Sequence, residues 1–215
     1  MRKKHLLIIG ARGWGREVYA SIVHTPAYIN KEIDIKGFLD TDTKAFEGLR
    51  GVYPPIIASP EDYKIQKDDI FFIAMGEPFW RKHYAEMFEA KGAHFHTIVC
   101  EGAYVNPTAK IGEGSFVAAW TTVSDNVTIG KHVMIHGFST IGHNATIEDF
   151  ASIEAYVFIG GLAHIGKESV MHVRSSLTRN KKIGSKVEVG ANSVVIRNTE
   201  DGVHVFGNPA KKIDI

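Results

Sequence analysis

A single cysteine, Cys100, stands among 215 residues, so no disulfide closes within the chain and no cysteine-based zinc cluster forms. Long apolar runs are missing too, and none approaches the roughly 18 residues of a membrane span. The opening Met1-Arg2-Lys3-Lys4-His5 leads into only Leu6 to Ile9 before Gly10, too short for a signal-peptide core. A cytoplasmic location with no membrane partner is the expectation. Nor is there an excess of one charge: Lys+Arg 25 and Asp+Glu 24 are interspersed, which speaks against a nucleic-acid partner. Proline is sparse at 7 and glycine slightly abundant at 21, as in a chain with many turns rather than a disordered one. The length suits one large domain or two small ones.

The second half holds an internal repeat. From Val99, every sixth residue through Val105, Ile111, Val117 and onward to Val189 and Val195 is aliphatic or Met171. Four residues after each lies a small or β-branched residue (Ala103, Ala109, Ser115, Thr121 and so on), broken only by Lys181. A period of six fits neither a helix nor a simple alternating strand. It fits a coil with three short strands per turn, each directing one large and one small residue inward. Residues 18 apart then stack at the strand spacing of about 4.8 Å. Gly, Asn and Asp positions are expected to relieve the corners.

The first half reads as strand, glycine turn and helix. Leu6 to Ile9 end in Gly10-Ala11-Arg12-Gly13-Trp14-Gly15, and Arg16 to Val23 follow as a helix with Val18, Ile22 and Val23 inward. Such a turn is a ready anion site, because unpaired backbone N–H groups and the helix dipole converge there. The spacing is G-x-x-G-x-G, not the dinucleotide fingerprint, so nicotinamide binding is not implied. A second strand, Ile35 to Leu39, ends at Asp40, placed for hydroxyls or a base edge. A third, Ile70 to Met75, ends at Gly76. A helix follows with Trp80, Tyr84, Met87 and Phe88 on one face and Gly92 as its C-cap.

The repeat resembles the hexapeptide-repeat acyltransferases, over about residues 99–212 and including the closing Val205-Phe206-Gly207-Asn208-Pro209-Ala210-Lys211. That resemblance implies a left-handed parallel β-helix. With the first half in front of it, the chain resembles the sialic acid O-acetyltransferase and UDP-4-amino-sugar N-acetyltransferase group. Gly10, Gly13, Gly15, Asp40, Gly76 and Arg81 match the nucleotide-sugar-binding elements of that group, and Trp14 stands where it often has His. The implied organisation is a Rossmann-like α/β domain (1–98), a left-handed β-helix (99–198) and a C-terminal tail (199–215). The implied activity is direct acetyl transfer from acetyl-CoA to an amine or hydroxyl of a nucleotide-linked sugar, for glycan or surface-polysaccharide synthesis.

Ile141-Gly142-His143-Asn144-Ala145 is similar to the V-E-H-[DE]-C element of that family, which implies that His143 is the general base, with Asn144 in place of the usual acid. Charge assistance would then fall to Glu148, Asp149 or Glu154. By the same resemblance Ser152, Gly161, Val173 and Ala191 contact acetyl-CoA. Gly13, Trp14, Asp40, Gly76 and Arg81 bind the acceptor. Because no long loop leaves the repeat, one coil offers no deep cleft, and a pocket for the pantetheine arm needs a second wall. The resemblance implies that a homotrimer supplies it. No metal is expected. The γ-carbonic-anhydrase alternative uses His136 and His172, 36 residues apart, but its third ligand position is Leu177. A second alternative is a nucleotide-sugar-binding homologue without catalysis, suggested by Trp14, Asn144 and Ser152.

Overall fold

In the computed structural model, which describes residues 3–214, the chain divides into two compact units after Ile98. Unit 1 opens with β1 (Lys4–Ile9), α1 (Gly13–Ile22) and α2 (Pro26–Ile29). β2 (Ile33–Leu39), β3 (Ile56–Ala58), β4 (Asp69–Ile73) and α3 (Pro78–Glu89) follow. The strands form one parallel sheet in the order β3-β2-β1-β4. Leu6 to Ile9 in β1 and Phe71 to Ile73 in β4 are fully buried, as expected of a parallel sheet covered on both faces.

Two helices differ from the sequence expectation. α1 starts at Gly13, three residues before Arg16, and Val23 is its half-buried C-cap. α3 buries Arg81, Tyr84, Ala85 and Phe88, a 3.6-residue stripe that leaves Trp80 48% exposed, one step of about 100° away. The C-cap of α3 is Ala90, with Gly92 left-handed two residues later. Under the sheet, Asp69 is buried and accepts hydrogen bonds from Lys36 Nζ at 2.8 Å, the Tyr63 hydroxyl at 2.7 Å and the Gln66 N–H at 2.7 Å. Three donors on one carboxylate meet the requirement that a buried charge be paired.

Unit 2 is a parallel β-solenoid. Two-residue strands recur every six residues, and strands 18 apart pair in register: Thr128↔Thr146, Met134↔Ser152, Thr140↔Phe158. The aliphatic column lies inside, with Ile135, Ile141, Ile147, Ile153, Ile159 and Ile165 all at 0% exposure. Two serines of the second inward column, Ser139 and Ser169, are satisfied by backbone of the next turn. Ser139 Oγ donates to the Glu154 carbonyl at 2.9 Å and accepts from the Val157 N–H at 3.1 Å, and Ser169 bridges Gly184 and Val187 in the same way. The last turn is two residues shorter, pairing Glu188 with His204. Residues 204–207 and 210–213 form a hairpin on that sheet, so the coil runs on past 198. Among the described residues, no helix is long and apolar enough to cross a membrane.

The corners are not built as expected. The left-handed residue stands three places after each aliphatic and is mostly not glycine: Trp120, Phe138, Asn144, Phe150, Tyr156, Leu162 and Arg174 all have φ near +60°. Such a conformation costs an L-residue roughly 1–2 kcal/mol. Bonds to the previous turn offset it, as from the Asn144 N–H to the Asp125 carbonyl (2.9 Å) and the Tyr156 N–H to the Gly137 carbonyl (3.1 Å). Stacking adds to this: Phe138 and Tyr156 lie 4.9 Å apart and nearly parallel, with the Arg174 guanidinium 5.6 Å from the Tyr156 ring. The glycines directly after the aliphatics serve another purpose. Their φ is ordinary, but the next turn passes too close for a side chain: a Cβ on Gly166 would stand 2.5 Å from the Gly184 carbonyl carbon.

That crowding is testable. Unfolded-state entropy alone favours Gly→Ala by about 0.4–1 kcal/mol, whereas overpacking costs about 1–3 kcal/mol. Gly166→Ala is therefore expected to lower the urea midpoint of unit 2. An unchanged or raised midpoint contradicts this account of the glycines.

Candidate functional site

Two places gather the residues singled out from the sequence. In unit 1 the chain leaves β1, turns outward to β2 and β3, then crosses back to β4 on the other side of β1. The carboxyl ends of β1 and β4 thus frame a topological switch point, where open α/β sheets bind ligands. The turn after β1 is held by close backbone packing. Gly10 has φ +103°, and a Cβ on Gly15 would overlap the Gly10 carbonyl oxygen. α1 begins there without a side-chain cap and without an acid in its first turn.

Asp40 and Arg81, both expected to bind the acceptor, bond to backbone of the two turns. Asp40 is 8% exposed and accepts from the Ala11 N–H at 2.7 Å and the Asp42 N–H at 2.9 Å, tying the glycine turn to the end of β2. Arg81 is fully buried and donates to the Met75 and Gly76 carbonyls, both at 2.8 Å, fixing the turn after β4. Burial lowers its pKa to about 9, against the opposing pull of Glu77, so it stays cationic near neutral pH. A Cβ on Gly76 would meet nothing within 4 Å, and one on Gly13 would meet only the Arg16 guanidinium at 4.0 Å. Trp14 is half-buried in the first turn of α1. Arg12 and Arg16, which the sequence reading passed over, flank the same turn; Arg16 reaches the Ala11 carbonyl at 3.5 Å.

In unit 2, His143 follows the 140–141 strand and is exposed. Its Nδ1 lies 2.9 Å from Asn144 Oδ1. With the neutral ring donating from Nδ1 to that amide oxygen, Nε2 carries the lone pair. The ring lies over Gly161 of the next turn: a Cβ there would be 2.7 Å from Nε2, so only glycine leaves room for it. The Gly161 N–H makes no hydrogen bond among the described residues. Equivalent N–H groups are taken by carboxylates: Lys131 by Asp149 (2.9 Å), Lys167 by Glu148 (3.1 Å), Val173 by Glu154 (2.8 Å). A side chain on Gly142 would stand 2.5 Å from that same Gly161 nitrogen, so glycine at 142 keeps it open. Gly142 was missed from sequence; its place beside His143 was visible, but the reason for it is a contact one turn away.

None of the three acids considered for charge assistance is hydrogen-bonded to His143. Glu148 pairs with His164 at 3.1 Å, Asp149 with Lys167 at 3.6 Å and Glu154 with His172 at 3.1 Å. Within one chain the expected acetyl-CoA contacts are also dispersed. Gly161 is beneath His143, but Ser152 is buried on a different sheet. Val173 and Ala191 stack on another edge, with the Val173 N–H already given to Glu154. Leu177 is a core residue, and His172 is engaged by Glu154 and Glu188, which leaves the carbonic-anhydrase ligand pattern incomplete.

Comparisons with known proteins agree with this architecture. Residues 5–88 match the PglD N-terminal domain, and residues 126–161 match the bacterial transferase hexapeptide with its six repeats. The acetyltransferase domain of PglB from Neisseria gonorrhoeae, solved with acetyl coenzyme A, is similar at 26% identity and TM-score 0.87, covering 99% of this chain and 100% of that one. A perosamine N-acetyltransferase variant from Caulobacter crescentus, solved with CoA and GDP-perosamine, superimposes with TM-score 0.87 at 21% identity over 98% and 97% of the two chains. WeeI from Acinetobacter baumannii gives 0.65 at 23% identity, over 98% and 100%. A search of curated proteins finds no match.

The tie made by Asp40 carries a prediction. Asp40→Ala removes the acceptor of two N–H groups and is expected to destabilise unit 1 by about 1–3 kcal/mol, read as a lower thermal midpoint. Unaltered stability would show that the carboxylate is free for a ligand after all.

Proposed function

We propose that this chain, which pairs a PglD N-terminal domain with a hexapeptide-repeat solenoid, is an acetyl-CoA-dependent acetyltransferase acting on an amino or hydroxyl group of a nucleotide-linked sugar. The observation that carries the reading is the arrangement at 142–144 and 161: an oriented imidazole whose Nε2 lies over an N–H without an acceptor. The two structural neighbours solved with CoA or acetyl-CoA support the donor, and GDP-perosamine in one of them supports the acceptor class. The glycine turns of unit 1 would take the nucleotide, with Gly13 and Gly76 allowing close approach and Trp14 beside them.

The reaction needs no covalent enzyme intermediate. The acceptor nitrogen or oxygen adds to the thioester carbonyl while His143 Nε2 takes its proton. The negative charge on the carbonyl oxygen is met by the Gly161 N–H. The tetrahedral adduct then collapses with cleavage of the C–S bond, and the imidazolium returns the proton to the leaving thiolate, giving free CoA and the acetylated sugar. Asn144 is a positioning residue that holds the tautomer. Ser152, Val173 and Ala191 lie on other edges of the coil. Their assignment to the coenzyme therefore requires a neighbouring subunit, and the proposed assembly is a homotrimer with the site at its seams.

The test is acetyl-CoA turnover, followed as free thiol, with UDP-, GDP-, dTDP- and CMP-linked amino sugars. His143→Ala is expected to lower kcat by at least about 10²-fold with the unfolding midpoint unchanged; normal turnover in that variant overturns the assignment. Asn144→Asp adds a carboxylate that favours the protonated ring, so the acid limb of kcat/KM should move to higher pH. Binding of a nucleotide sugar without any acetyl transfer would instead support the non-catalytic homologue, a reading motivated by the uncharged Asn144.

A further inference from the structure

The residue beside the proposed base is an amide, but the preceding turn of the coil carries an acid in line with it. Strand pairing sets Thr122 against Thr140 and Val123 against Ile141, so Asp125 occupies the same column as His143, one turn of about 4.8 Å earlier. The Asp125 carbonyl accepts the Asn144 N–H at 2.9 Å. The residue is exposed, and only one of its carboxylate oxygens is engaged. Thr108 Oγ1 stands 2.7 Å from Asp125 Oδ1, a hydroxyl shared with Asn106 Oδ1 at 2.8 Å. Among the described residues Asp125 makes no ion pair, unlike Glu148, Asp149, Glu154 and Glu188 farther along the coil. Its Oδ2 is thus steadied through Oδ1 and has no partner of its own within the chain.

Two kinds of surface meet at His143. Flanking the column on the Asp125 side are Thr122 and Thr140 before the corner and Thr128 and Thr146 after it, none with a side-chain hydrogen bond among the described residues. On the other side stand Gly161 and the exposed apolar Phe158 and Leu162. In the proposed reaction the thioester carbonyl lies over the Gly161 N–H, so the acceptor comes from the hydroxyl-rich side, where Asp125 stands. The protons on the acceptor then matter. An attacking amine has two N–H groups, one for His143 Nε2 and one left over. An alcohol has a single O–H, which the base consumes. A carboxylate oxygen beside the reacting atom therefore finds a donor in the amine and none in the alcohol, and an acceptor left without a donor is costly. The ammonium form is drawn to the same oxygen and gives its extra proton to water before attack.

We propose that Asp125 selects an amine over a hydroxyl as the acceptor: its Oδ2 accepts the N–H that His143 does not take and turns the nitrogen lone pair toward the thioester carbonyl. The C–N bond forms, the C–S bond breaks, and the one transferred proton passes through His143 to the thiolate, so the product is an amide. The inference rests on the acetyltransferase reading above and adds the residue that decides which group is acetylated. Asn144 leaves the imidazole uncharged, and the acid one turn earlier serves the substrate rather than the base.

The experiment measures equilibrium binding and acetyl transfer on the full chain, with UDP-, GDP-, dTDP- and CMP-linked amino sugars and their hydroxyl counterparts. Wild-type protein should bind the amino form of at least one pair about 10-fold more tightly than the hydroxyl form, and acetylate it with about 100-fold higher kcat/KM. Asp125→Asn keeps an oxygen for Thr108 and should lose the difference in binding. Kd and KM for the amino form rise about 10-fold, while KM for acetyl-CoA, binding of the hydroxyl form and the melting temperature stay the same. Asp125→Glu should restore part of the preference. Unchanged selectivity in Asp125→Asn overturns the proposal. So does an equal loss for both sugars or a lower melting temperature, either of which marks a structural role only. If the amino form is preferred through Asp125 but never acetylated, the acetyltransferase reading fails and the contact stands. If a hydroxyl is acetylated as efficiently as an amine, with no change in Asp125→Asn, acetyl transfer stands and the proposal fails. If no nucleotide sugar binds, both fail.

Discussion

The solenoid depends on the closeness of one turn of backbone to the next. Each corner passes within contact of the corner of the following turn. At Gly112, Gly130, Gly142, Gly160, Gly166 and Gly184 a Cβ would meet backbone or a side chain of that turn. The same closeness lets an N–H of each turn reach a carbonyl of the one before, which holds aromatic and charged residues in a left-handed conformation that they otherwise avoid. It also sets the proposed chemistry. The His143 ring rests on Gly161 by the same stacking that places Tyr156 under Phe138, and glycine at 142 leaves the Gly161 nitrogen uncovered.

The sixfold period was legible in the sequence because the inward aliphatic column tolerates no polar residue, so the repeat could not be masked by surface drift. The corners were not legible. Nothing in the propensity of Trp120, Phe138 or Tyr156 suggests positive φ, since what holds them there is a hydrogen bond and a ring contact from another turn. The parallel α/β unit could be read from its apolar runs and glycine turns, but the start of α1 and the buried face of α3 were misplaced. Gly13 does not look like a helix start, and Arg81, normally a surface residue, takes a place in the buried stripe because two carbonyls need its donors.

Asp40 and Arg81 show why acceptor contacts were harder to read than the fold. A carboxylate at a strand end and an arginine after a glycine turn can equally bind a ligand or bind the turn itself. Both hold turns here, and the division has a consequence. With Asp40 on the Ala11 N–H and Arg81 on the Met75 and Gly76 carbonyls, the two loops at the switch point are fixed by side chains of the unit itself. Preformed loops of this kind reduce the ordering cost of binding.

The environment of His143 follows from where the acids have gone. Glu148, Asp149 and Glu154 each serve a backbone N–H and a neighbouring cation or imidazole, so none remains for the 143 position. An amide in their place fixes the ring without adding charge. In the proposed reaction the base must first take a proton and then give it to the leaving thiolate. A carboxylate partner would favour the first step by stabilising the imidazolium, and would hinder the second for the same reason. Asn144 brings neither effect, so in the proposed reaction the first step relies on the Gly161 N–H and on how closely the acceptor is held against Nε2.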